Sequence, residues 1–218
     1  MSNFASPGPR RRYSSVLRAE RAAETRRRVI AAATDLFTEL GFAGTTIDRV
    51  AARAGVGRKT VFDAVGGKAE LLRRAYDVAI VGDDEPVPLV EREAVRALIA
   101  EPDASRRLMA YAELVTDIDR RIVGVYRALD AGAAIDPEAA ALHDRLVQQR
   151  RTSMEPQARR MHDDGALLPG MTPEEAADLL WLYTDPLVYD KLVCRQGWTD
   201  GQFSRWLGRT LCAQLVGA

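Results

Sequence analysis

Residues 45–68, from Thr45 to Lys68, read TTIDRVAARAGVGRKTVFDAVGGK. Two short helical runs lie on either side of a glycine. Thr45 is placed to cap the first, with Asp48 three residues on as a shorter version of the capping-box acid. That run ends near Ala54, with Gly55 just after it. Arg58 to Val65 form the second run, and Gly66-Gly67 break it. Ala51 has to be small because the two helices cross closely there. Gly55, four residues later, supplies the sharp turn. Val61, six residues after Gly55, packs back between the helices, and Val50 and Val56 complete a small core. This is the helix-turn-helix pattern, in which the second helix enters the major groove and its early residues reach base edges. The competing reading is a structural helical hairpin without a ligand.

The surrounding chain supports a helical fold. Upstream, Val29, Ala33, Leu36, Phe37 and Leu40 recur at three- and four-residue steps, which predicts a first helix from about Glu20 to Leu40 stopped by Gly41. Residues 1–20 read as a flexible basic arm carrying Arg10, Arg11 and Arg12, either a solvated terminus or a DNA-touching arm. Downstream, Lys68 opens a further helix with Leu71, Leu72, Ala75, Tyr76 and Ala79 on one side. Residues 82–88, acidic and broken by Pro86 and Pro88, read as a linker. The expected domains are therefore 21–81 for the helix-turn-helix and 89–218 for a second helical domain. In the latter, patterns predict helices over about 90–100, 104–131, 137–165 with a kink at Pro156, a start at Thr172-Pro173-Glu174-Glu175 interrupted at Pro186, and 200–216. No segment carries a strong strand signal, so the fold class is all-α.

Composition narrows the function. The 218 residues hold 31 basic and 31 acidic side chains, but residues 1–75 carry 15 basic against 7 acidic. A basic first third suits a polyanion partner, and the acidic remainder suits another job. No apolar run approaches the length of a membrane helix, and no apolar stretch follows the N-terminal arginines as in a signal peptide. Cys194 and Cys212 match no metal or redox spacing, so a reducing, cytoplasmic setting is expected and both are expected as small buried hydrophobes. There is no nucleophile elbow, phosphate loop or metal-ligand spacing. Neither catalytic residues, nor a metal, nor a cofactor is therefore expected.

The chain resembles the TetR family of transcriptional regulators. The resemblance rests on Val29 to Ala33 with Leu36-Phe37, Gly41-Phe42, Thr45-Thr46-Ile47, Val50-Ala51, Ala54-Gly55-Val56, Thr60-Val61-Phe62, and Lys68 before Leu71-Leu72. It is close over about residues 25–75 and one of layout beyond. It implies a homodimer, a double-stranded DNA operator of two half-sites, and a small-molecule effector bound in the second domain. Thr45 and Thr46 then face phosphate, and Arg58, Lys59 and Thr60 face bases. Phe62 stands where the family usually has a Tyr whose hydroxyl reaches phosphate. Asp63 stands where many members have His, and points away from the backbone or reads a cytosine amine. Lys68 resembles the family's phosphate-binding Lys.

In the second domain, Met109, Tyr111, Tyr126, Met154, Trp181 and Tyr183 are candidates for an effector pocket, because Tyr and Trp join an apolar body to a polar tip. Plain core packing is the competing reading for each. Leu187, Leu192, Phe203, Trp206, Leu207 and Leu211 carry more apolar surface than one terminal hairpin needs. They are expected at a dimer face, with burial inside the chain's own domain as the alternative. The sequence thus reads as a ligand-responsive repressor; the alternative is a helical small-molecule-binding adaptor without operator recognition.

Overall fold

The computed structural model describes residues 9–82 and 91–216, with side chains from Arg18 onward, Ala94 excepted. Helices and turns account for the described residues, with no strand among them. Helix α1 spans Pro9–Gly44. The helix thereby begins before the expected start at Glu20, since the backbone is helical from Pro9. The segment from Arg10 to Leu40 contains neither Gly nor Pro and is rich in Arg, Ala, Leu and Glu, all strong helix formers. Residues 1–8, and the side chains of Arg10, Arg11 and Arg12, lie outside the described residues. Gly41 does interrupt the regular helix, at a φ of 66°, and only a short turn follows it. Leu40, beside this break, is 44% exposed rather than on the buried face.

Helix α2 spans Ile47–Ala54, α3 Arg58–Ala64 and α4 Lys68–Val81. Gly55 closes α2 in the left-handed conformation, at φ 65°, so the sharp turn expected there is present. The expected linker falls almost wholly in 83–90, outside the described residues. Beyond it come α5 (Glu93–Ala100), α6 (Ala104–Ala133) and α7 (Pro137–Asp163), which continues past Pro156. Helix α8 (Pro173–Tyr183) begins with the full capping box of Thr172 and Glu175. Helix α9 (Pro186–Tyr189) runs into a π-helical segment, Asp190–Arg195, and α10 (Asp200–Leu215) follows.

Two apolar clusters organise these helices. The first joins α1–α4 to the second half of α6 and the start of α7: Phe37, Val50, Val61, Leu71 and Leu72 pack with Val125, Leu129 and Leu142. The helix-turn-helix region therefore shares its core with the second domain. Burying each such side chain contributes roughly 1.5–3 kcal/mol. The second cluster joins the first half of α6, the later part of α7, α8 and α10 through Leu108, Met161, Leu180, Phe203, Leu207 and Leu211.

The second cluster covers three of the six dimer-face candidates from within the chain. Phe203, Leu207 and Leu211 are fully buried within the single chain, because α10 lies along α6. Periodicity marks a buried face without saying what covers it. Leu187 packs on the first cluster, while Leu192 and Trp206 sit half-buried at the edge of the second. Cys194 is exposed and Cys212 intermediate, so neither is the buried hydrophobe expected.

The α1–α6 contact is close enough to exclude side chains. A Cβ on Gly132 would stand 2.7 Å from Cγ and 3.1 Å from Cβ of Phe42. Those atoms belong to a residue 4% exposed whose ring stacks on Phe37 at 6.4 Å. Gly132→Ala is thus expected to destabilise the fold by about 1–3 kcal/mol. Thermal melting checks this, and an unchanged Tm would show that α1 can shift freely against α6.

Candidate nucleic-acid interface

The turn is built as its core residues require. Val50 and Val61 are fully buried, Ala51 is 6% exposed, and Val56 is half-buried against them. Two arginines of α1 brace the motif from behind. Arg28 Nη2 donates to the Ala54 carbonyl at the end of α2, and Arg26 Nε donates to the Ala64 carbonyl, 3.2 Å, at the end of α3. Cations at helix C-termini complement the helix dipole. Sequence reading missed both contacts; the signal available was the Arg26-Arg27-Arg28 run.

The capping residue is Thr46, whose hydroxyl accepts from the Arg49 N–H at 3.2 Å. Thr45 is 1% exposed and donates to the Gly41 carbonyl at 2.8 Å. This corrects its expected roles as cap and phosphate contact. Thr46 is exposed and stands at the N-terminus of α2.

Arg58 and Lys59 open α3 and are exposed, with Thr60 half-buried beside them. Arg58 Nη1 reaches both carboxylate oxygens of Asp48, at 2.9 and 2.8 Å, and its guanidinium lies 5.8 Å from the Phe62 ring centroid. Lys59 Nζ pairs with Asp63 at 2.6 Å. Asp63 is therefore occupied by the preceding turn of its own helix. The side chains of the Arg58–Asp48 pair are 60% and 67% exposed, those of Lys59–Asp63 87% and 62%. Such surface pairs contribute about 0–1 kcal/mol, so a phosphate or base edge can displace the carboxylates. Phe62 is 45% exposed on the same helix.

Lys68 departs from expectation. Its Nζ lies 3.8 Å from the Phe42 ring centroid. Burial lowers its pKa, and the Asp136 carboxylate partly offsets this. In this arrangement its charge faces the α1–α4–α7 junction, and reaching a phosphate requires leaving the ring.

In the second domain, four of the six pocket candidates meet at one place. Tyr111 Oη donates to Met154 Sδ at 3.1 Å. Arg150 of α7 lies 5.2 Å over the Trp181 ring, donates to the Trp181 carbonyl at 2.6 Å and to Asp185 at 2.7 Å, and interacts with Tyr126. Burial pushes the Tyr111 and Tyr126 hydroxyls up to about 12. Met109 instead packs on Gly208 of α10, and Tyr183 sits half-buried at the second cluster. The sequence reading missed Asp119, Arg150 and Asp185. Asp119 is 2% exposed in the middle of α6, and burial raises its carboxyl well above the ordinary range, an effect that Arg150 opposes.

A capped, glycine-turned helix pair with an exposed basic second helix, set on a larger helical domain, has the build of a helix-turn-helix module. Residues 29–75 match the family model of bacterial regulatory proteins, tetR family. Over those residues the chain is similar to the tetR family. It is 29% identical over 139 residues to the HTH-type transcriptional regulator SrpR of Pseudomonas putida, a match spanning 60% of this chain and 56% of SrpR. It is also 29% identical over 139 residues to the uncharacterized HTH-type transcriptional regulator TtgW, likewise of Pseudomonas putida, spanning 60% of this chain and 89% of TtgW. Among solved structures it is similar to NalD of Pseudomonas aeruginosa, the secondary repressor of the MexAB-OprM multidrug efflux pump. The TM-score is 0.63 at 21% identity, covering 89% of this chain and 98% of NalD. Among the described residues, no helix is long and apolar enough to cross a membrane.

Proposed function

We propose that the chain is a sequence-specific DNA-binding transcriptional repressor, released from its operator by a small molecule bound in the second domain. The observation that carries this reading is α3 itself, a recognition helix that opens on exposed Arg58 and Lys59 held only by surface carboxylates. Thr46 and Arg49 flank it at the start of α2. A homodimer would place two such helices about 34–36 Å apart, on successive major grooves. Leu182, 52% exposed on α8, with Leu192 and Trp206 beyond it, supplies apolar surface for that pairing. Tyr111, Tyr126, Met154 and Trp181 are the effector-site residues on this reading. The protein acts in the cytoplasm and has no catalytic step.

The test is binding to DNA flanking its own gene, by fluorescence anisotropy at two salt concentrations with random-sequence competitor. With roughly 6–10 phosphate contacts per complex, affinity is expected to fall by about 10³–10⁵ between 50 and 200 mM salt while preference over competitor persists. Binding without preference or salt dependence favours the second reading, a small-molecule-binding adaptor. That reading draws on the pairing of both recognition-helix cations with carboxylates.

A further inference from the structure

The buried cluster between α6, α7 and α8 is not balanced. Arg150 is the cation at its centre, and its guanidinium is committed to Asp185, the Trp181 carbonyl and the Trp181 ring. Asp119 is a second carboxylate close to that same cation. Its Oδ2 is buried and has no hydrogen-bond partner, and the buried Trp181 Nε1 likewise lacks an acceptor. A buried carboxylate oxygen without a donor is unfavourable, and native structures keep few of them. Tyr76 and Tyr111 feel the Asp119 charge, and the Tyr126 ring lies 6.2 Å from that of Tyr76. Ring faces attract cations, and a buried carboxylate oxygen wants an N–H donor that carries positive charge.

We infer that Asp119 is the recognition group for a protonated organic amine, whose ammonium N–H donates to Oδ2 and whose apolar body packs among Tyr111, Tyr126 and Trp181. The inference rests on the effector reading above and gives that effector a chemical class. An anionic effector is disfavoured at this place, because the arginine is already in use and the Asp185 carboxylate stands beside it. Burial holds the Asp119 carboxyl towards its neutral form in the free protein. An ammonium partner would hold it ionised.

The test uses three probes of matched shape: 4-phenylbutylamine, 4-phenylbutanol and 4-phenylbutyrate. Each is titrated calorimetrically into the full-length protein and into Asp119→Asn, a near-isosteric change that removes the charge. The amine is expected to bind the unaltered protein about 30-fold or more tighter than the alcohol, the range expected for a buried charge-assisted contact. Asp119→Asn should abolish that preference. The inference is overturned if the amine does not bind, if it binds no better than the alcohol, or if Asp119→Asn keeps the preference. The comparison on the unaltered protein stands even where the variant folds poorly. The anisotropy assay on the same preparation separates the two readings. Operator binding without amine preference sinks this inference alone, and amine preference without operator binding sinks the repressor reading alone.

Discussion

Arg150→Met is expected to destabilise the protein by about 3–5 kcal/mol, the range for removing one partner of a buried ion pair, and to lower Tm by roughly 6–20 °C for a chain of this size. The methionine fills most of the arginine stem's volume, so the loss reports charge rather than packing. Two carboxylates are left without their cation: half-buried Asp185, which receives Nη2 at 2.7 Å, and buried Asp119, whose raised pKa Arg150 now opposes. The sign of the pH dependence follows. A carboxyl whose folded pKa lies above its unfolded value costs stability once pH exceeds the unfolded value, and the cost grows until pH passes the folded value. Without Arg150, burial acts on Asp119 unopposed. The difference between variant and parent should therefore be larger at pH 8 than at pH 5, and adding Asp119→Asn should recover part of it. A Tm within about 2 °C of the parent at both pH values would mean that water or side-chain rearrangement satisfies these groups without the arginine.

Those three residues also show why part of this molecule was illegible in its sequence. Asp119 lies on α6, Arg150 on α7 and Asp185 just before α9, and nothing local marks them as partners. Their pairing exists only once α6, α7 and α8 are packed. Features written in adjacent residues fared differently. The left-handed Gly55, the capping box of Thr172 and Glu175, and the burial of Val50, Ala51 and Val61 follow from local steric and hydrogen-bonding rules. Thr45 and Thr46 mark the border between these cases. Either hydroxyl could cap α2, and the choice falls to Thr46 because Thr45 is drawn inward to the Gly41 carbonyl. Phe203, Leu207 and Leu211 were legible as a buried stripe on α10, but α6 rather than a second subunit covers them. The Arg10–Arg12 segment read as an arm because its neighbours 1–9 are rich in Ser, Gly and Pro, whereas helix propensity carries α1 back to Pro9.

Arg58→Ala is expected to weaken binding to the cognate operator by about 1–3 kcal/mol and to relax base preference at the position it reads, a loss of roughly 5- to 150-fold. The argument turns on what the guanidinium leaves behind. In the free protein it is held by Asp48 across an exposed pair, an interaction contributing about 0–1 kcal/mol. Two acceptors on one guanine edge offer the same fork a comparable geometry in a groove where water is thinned. The exchange is therefore favourable on the right base and close to neutral elsewhere, which is how one side chain contributes selectivity rather than bulk attraction. Binding of Arg58→Ala to random DNA should fall only by the share of one lost charge. Asp48→Ala, which frees the guanidinium, should strengthen cognate and random DNA alike and leave their ratio nearly unchanged. Anisotropy titrations of both variants against cognate and random duplexes at one salt concentration decide the matter. If Arg58→Ala weakens both duplexes equally, Arg58 is a phosphate contact, and base reading on α3 passes to Lys59, Thr60 and Phe62.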